Sequence, residues 1–335
     1  MTDFILSLFH TGHKLRISTL YHLLIGKRTS SVLIHGFFYR NLPLFDSFSQ
    51  LEEKQFNRWI DQLIQKKLIE ETEGFGQLTE AGRIKLQATQ RTQLINLNGL
   101  RYGRERERMW QLSLLAVQVI SYLTYHEKEY IPLDSRPFFL YQTKKWLHQA
   151  EEGFLTEFPT ELEQILAALS KEQANFLANQ FSGYEQYGQV AFQLLPAKWQ
   201  EAPWDRLYYQ NAIDAFLQQA LQQPDFRRLL RQLDQLNYNQ SMLKTRKLYL
   251  SGLSLEEIAQ QRRLKQGTLN DHFIEWALLA EDFPFSDFHL ITPASEHEML
   301  TWRYQEFSEL PYLNFRLSQI LFLKEQDYEC ETTAD

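Results

Sequence analysis

Residues 242–279 read MLKTRKLYLSGLSLEEIAQQRRLKQGTLNDHFIEWALL, and this stretch constrains the fold more than any other. A helix over Leu243–Leu250 is stopped by Ser251–Gly252, because glycine accepts the left-handed backbone of a helix C-cap without penalty. Ser254 and Glu257 have the spacing of a capping box, in which hydroxyl and carboxylate each satisfy a free amide at a helix start. Ala259 supplies the small side chain that two steeply crossing helices need at their closest approach. A third helix runs from about Gln266 through Leu269, Phe273, Trp276 and Ala277. Three short helices with these stops and starts predict a helix-turn-helix whose core holds Leu248, Leu253, Ile258, Ala259, Leu264, Leu269 and Phe273.

The cations and amides that such a module could offer to DNA are Lys244, Arg262, Arg263, Lys265, Gln266, Thr268, Asn270 and His272. Gln266 and Asn270 are the residue types that make bidentate contacts with adenine. Gly267 offers no side chain and Asp271 repels phosphate, so the expected DNA contact is weak and not sequence-specific. Docking of another protein on this module is an equally open reading. Arg263 stands where the turn favours glycine and is expected to take a positive φ or to shift the turn.

The N-terminal part repeats the theme more loosely. Two apolar helices are expected over 14–25 and 30–42, joined at Gly26–Arg28, and Ser49 with Glu52 suggests a capped third helix through Lys66. Leu68–Ile69, a turn at Glu73–Gly76 and Gln77–Thr79 predict a hairpin. Helices followed by a small hairpin is the order of a winged helix, although a plain helical bundle with a hairpin would give the same pattern. Lys27 and Arg28 join the DNA-contact candidates here. From Trp110 to about Leu236 the pattern is helix after helix, with Thr160 and Glu163 read as a further capping box behind Pro159. The whole chain is thus expected to be mostly α: a winged-helix-like domain over 1–90, a helical middle region over 91–239, and a helix-turn-helix domain with acidic C-terminal helices over 240–330.

Charge refines this reading. The net charge of −7 hides an acidic end: residues 281–335 carry −9 and the first 280 about +2. Residues 1–45 hold five basic side chains against Asp3, and 83–108 hold seven against Glu105 and Glu107. Local patches rather than net charge govern attraction to phosphate. The single cysteine, Cys330, excludes a disulfide framework and a structural zinc site, and suits a reducing, cytoplasmic setting. The longest uncharged stretch, Met109–Tyr125, is too short and too polar for a membrane span and is expected to be a buried helix. No phosphate loop, nucleophile elbow or metal-ligand pairing is present, so no catalytic residue, cofactor or metal is expected.

Lys244–Thr245, LYLSGLSLEEIAQQR at 248–262, GTLNDHFIEWAL at 267–278 and YLNFRL at 312–317 together resemble the helicase helix-turn-helix domain. That domain closes some RecQ-type helicases and forms the C-terminal part of stand-alone YpbB-like proteins, whose genes lie beside a RecQ-type helicase gene. GKRTSSVL at 26–33 is similar to the stand-alone proteins as well. The resemblance implies a non-enzymatic DNA-binding or adaptor protein working with a RecQ-type helicase in repair or recombination. A transcriptional regulator reading an operator is the alternative.

Overall fold

The computed structural model describes residues 1–86, 94–307 and 309–332, the last six of these by backbone alone. Residues 87–93 of the basic stretch and the Cys330 side chain lie outside the described residues. In chain order the first elements are α1 (Thr2–Ser7), β1 (Leu15–Arg16), α2 (Ile17–Leu24), α3 (Ser30–Phe38), α4 (Glu53–Gln65), β2 (Ile69–Thr72), β3 (Phe75–Leu78) and α5 (Glu80–Leu86). The middle of the chain forms α6 (Gly99–Tyr102), α7 (Arg106–Thr124), α8 (Pro137–His148), α9 (Phe154–Ala167), α10 (Lys171–Ala178), α11 (Ala191–Leu194), α12 (Trp204–Ala220) and α13 (Pro224–Leu236). The last part forms α14 (Gln240–Leu250), α15 (Leu255–Arg262), α16 (Gln266–Leu279), α17 (Glu296–Thr301) and α18 (Tyr312–Thr332). The chain is mostly helical, as expected.

These elements sort into two units. One comprises 1–7, 58–68 and 80–237; the other comprises 8–57, 69–79 and 238–335. The chain passes from the first unit to the second after Asn237, and residues 1–90 contribute to both.

In the first unit α7 carries the uncharged stretch and buries Met109, Trp110, Leu112, Leu115 and Ile120. The Trp110 ring meets Phe216 of α12 edge-on at 5.1 Å, and Phe158 of α9 stacks on Phe226 of α13 at 4.6 Å. At the start of α7 the buried Arg106 grips the buried Asp214 through Nε and Nη2, both at 2.6 Å. Asp214 also accepts the Asn98 amide at 2.8 Å, so one carboxylate fixes the chain entering α7. The basic stretch is largely neutralised in this way: Arg101 pairs with Asp234, Arg108 with Glu105, Arg83 with Glu80 and Lys85 with Asp3, while Arg104 stays exposed. It therefore offers less free charge than its composition suggests. Pro159 lies inside α9 rather than before a helix, and the Thr160 hydroxyl donates to the Thr156 carbonyl instead of capping.

In the second unit the three strands pair antiparallel in the order β1-β3-β2, with register from Ile69↔Leu78 to Thr72↔Phe75. The hairpin turns on Glu73 and Gly74, both at positive φ (54° and 80°), a two-residue turn whose twist matches the strands. The first helix pair is shorter than expected, and α4 begins at Glu53, four residues past Ser49, so Ser49 does not cap it. α16 is the axis of this unit. It packs against α14, α18 and α3, and it buries residues on both sides, from Leu269 and Asn270 to Trp276 and Leu278.

Candidate nucleic-acid interface

The helix-turn-helix forms as its residues dictate. Gly252 closes α14 with φ 95°. Ser254 accepts the Glu257 amide at 3.2 Å and donates its own amide to Glu257 Oε2 at 2.8 Å, which holds the Glu257 carboxyl below its usual range. Arg263 takes the left-handed conformation (φ 52°, ψ 44°), so the turn keeps its shape without glycine, and the Leu264 amide returns to the Ala259 carbonyl at 2.9 Å. Of the expected core, Ile258, Leu269 and Phe273 are buried. Leu248, Leu253, Ala259 and Leu264 are only half-buried, and Ile258 is the one fully buried side chain of α15.

The candidate contact residues divide into two groups. Arg262 is occupied internally: Nη1 donates to the Ser241 carbonyl and Nη2 to its hydroxyl, each at 2.8 Å, and Nη1 also meets Thr245 Oγ1. That hydroxyl lies 2.8 Å from Nδ1 of the buried His272, whose pKa is lowered by burial and then by the Arg262 charge. Asn270 is buried as well and accepts a hydrogen bond from Gln266 Nε2 at 2.9 Å. Arg28 donates through Nε to Glu275 Oε1 at 2.8 Å, and the other Glu275 oxygen accepts from Asn239 Nδ2 at 3.0 Å. Asn270 and His272 thus face inward, and Arg28 and Arg262 are engaged by neighbours.

The second group is exposed: Lys27, Lys244, Arg263, Lys265, Gln266 and Thr268. The first turn of α16 has no side-chain cap, so its leading amides point out beside Lys265. An uncapped helix start next to a lysine favours anions. The N-terminal segment meets α16 further along. Ser30 Oγ donates to Asp271 Oδ1 at 2.5 Å, and with Arg28–Glu275 this anchors residues 28–30 one turn apart along α16. Lys27, one residue before Arg28, is thus placed beside the Glu275 end of this contact, about two and a half turns beyond the start of α16.

Sequence reasoning missed Ser30, Asn239 and Glu275 as the anchors of this arrangement. One local signal existed: Glu275 is the lone charge in the apolar run FIEWALL, where a buried carboxylate requires a partner.

Residues 241–319 match a family model described as a helix-turn-helix domain. This part of the chain is a helix-turn-helix domain. Protein YpbB of Bacillus subtilis (strain 168) is 21% identical over 281 residues, which cover 81% of this chain and 80% of that protein. No solved structure matches. The domain supports binding to DNA. No helix among the described residues is long and apolar enough to cross a membrane.

Proposed function

We propose that this chain is a non-enzymatic, DNA-contacting adaptor that works with a RecQ-type helicase in repair or recombination. One observation carries the reading. The third helix of the helix-turn-helix is clamped along its length by α14, α18 and residues 28–30, and offers solvent little more than its first turn. Such a helix can meet phosphates through Lys265 and free amides, with the exposed Lys27 as a separate cation of the same unit, but has few side chains left for base edges. The pattern fits a module that holds DNA of any sequence while another protein performs the chemistry. The helicase partner follows from the resemblance of 240–330 to the helicase helix-turn-helix, and similarity to Protein YpbB along most of the chain accords with a stand-alone protein of that type.

The test is affinity purification of the tagged chain from cells, with and without nuclease. Recovery of a RecQ-type helicase after nuclease treatment supports a protein–protein adaptor. Its absence from both preparations overturns the partnership.

A further inference from the structure

In the first unit α8 and α13 enclose a groove of about 330 Å³. Its floor is rigid. Trp146 is buried, and its indole N–H donates to the Asp225 carbonyl at 3.1 Å. Gln142 Nε2 donates to Gln232 Oε1 at 2.8 Å and ties the two helices together. A groove held this way needs little ordering when a ligand enters.

Its charge is one-sided. Lys145, Arg228 and Arg231 line it, the remaining lining residues are neutral, and no carboxylate is among them. Lys145 and Arg231 are exposed and form no ion pair among the described residues. Arg228 is fixed by its contact with the Asp225 carboxylate through Nη2. Its Nε is buried and has no acceptor among the described residues. With Arg228 held by Asp225, the free Arg231 fork and Lys145, from two helices, remain to meet a group with several charged oxygens, which describes a phosphate better than a carboxylate.

We propose that this groove is a phosphate-binding site, filled by a phosphate group of a nucleic-acid strand or of a nucleotide. Every lining residue belongs to the unit without the helix-turn-helix, so the proposal stands independently of the DNA surface described above.

The test uses the full chain, titrated by calorimetry with a short oligothymidine strand, with AMP and with inorganic phosphate. The variant K145A/R231A removes two exposed cations and leaves Trp146 and Arg228 in place, and an unchanged melting temperature checks its fold. The variant K27A/K265A serves as the control in the other unit. Wild-type protein is expected to bind at least one probe, with affinity about tenfold or more lower in K145A/R231A. A loss confined to the strand assigns the phosphate to a nucleic-acid backbone; a loss shared by AMP or inorganic phosphate assigns it to a nucleotide. Equal binding of every probe by wild type and K145A/R231A, or no binding by wild type, overturns the proposal. A loss in K27A/K265A alone would uphold the helix-turn-helix surface while refuting the groove.

Discussion

Lys27 and Arg28 are chain neighbours with opposite surroundings, and replacing each in turn separates contact with DNA from stability. Arg28→Ala removes the 2.8 Å bond to Glu275 and leaves that carboxylate, whose side chain is 6% exposed, with Asn239 as its remaining side-chain donor. A hydrogen bond to a charged group contributes roughly 1.5–3 kcal/mol. The Arg28 side chain is 21% exposed, so screening places the loss near the lower end, at about 2 kcal/mol. For a unit of this size that corresponds to a melting-temperature drop of roughly 4–8 °C. Lys27→Ala touches an exposed side chain and is expected to leave stability within about 0.5 kcal/mol. It should instead weaken DNA binding and reduce the salt slope by about one. Thermal melts and fluorescence anisotropy across a salt series read the two effects. Adding Glu275→Gln to Arg28→Ala should restore part of the lost stability by removing the unpaired charge. An unchanged melt for Arg28→Ala, or a salt slope moved by Arg28→Ala and not by Lys27→Ala, would refute the assignment.

Asp271→Lys exchanges an exposed negative charge on α16 for a positive one and should raise general DNA affinity, measured by anisotropy on unrelated duplexes, while loss of the Ser30 hydrogen bond lowers its melting temperature. His35 accepts the Arg16 amide through Nε2, and burial, then the Arg16 charge, lowers its pKa to about 4. The unfolded imidazole titrates near 6.5, so the unfolded chain binds more protons between these values. This stabilisation is complete above pH 6.5 and is lost as pH falls towards 4, at about 1.4 kcal/mol per unit. Denaturant melts of His35→Gln should show a shallower acid-side decline, and a decline equal to wild type would refute it. Asp214→Asn breaks the fully buried Arg106 pair and should cost roughly 3–5 kcal/mol by chemical denaturation.

The helix-turn-helix was legible because its determinants are local: Gly252 at a positive φ, the Ser254–Glu257 box, and a hydrophobic period that places Leu269 and Phe273 inside. The hairpin was legible for the same reason, through Glu73–Gly74. What failed depended on partners distant in sequence. Ser30 finds Asp271, Arg106 finds Asp214 and Arg101 finds Asp234 across more than a hundred residues, and no local spacing records such pairings. A tally of arginines over 83–108 therefore read as an open basic patch a stretch in which most described cations have carboxylate partners, two of them well inside the fold. Burial on both sides of α16 was hidden likewise, because a helix covered twice has a weak periodicity, and only the isolated Glu275 hinted at the second neighbour.

That second neighbour decides how well the module can read sequence. Gln266 and Asn270 were the two adenine readers expected on α16, and they are hydrogen-bonded to each other at 2.9 Å with Asn270 only 8% exposed. To reach an adenine edge, Asn270 must leave this bond and its packing, and a buried polar group stripped of its partner costs about 1–3 kcal/mol. A good bidentate base contact contributes about 1–3 kcal/mol of discrimination. The two terms have the same size and opposite sign, so little net preference for any base survives. Selection from random duplexes with the full chain should accordingly yield no strong consensus. Asn270→Ala should lower stability rather than alter the selected sequences. A sharp consensus abolished by Gln266→Ala or Asn270→Ala would require α16 to open away from residues 28–30, and it would replace the adaptor reading with that of a regulator reading an operator.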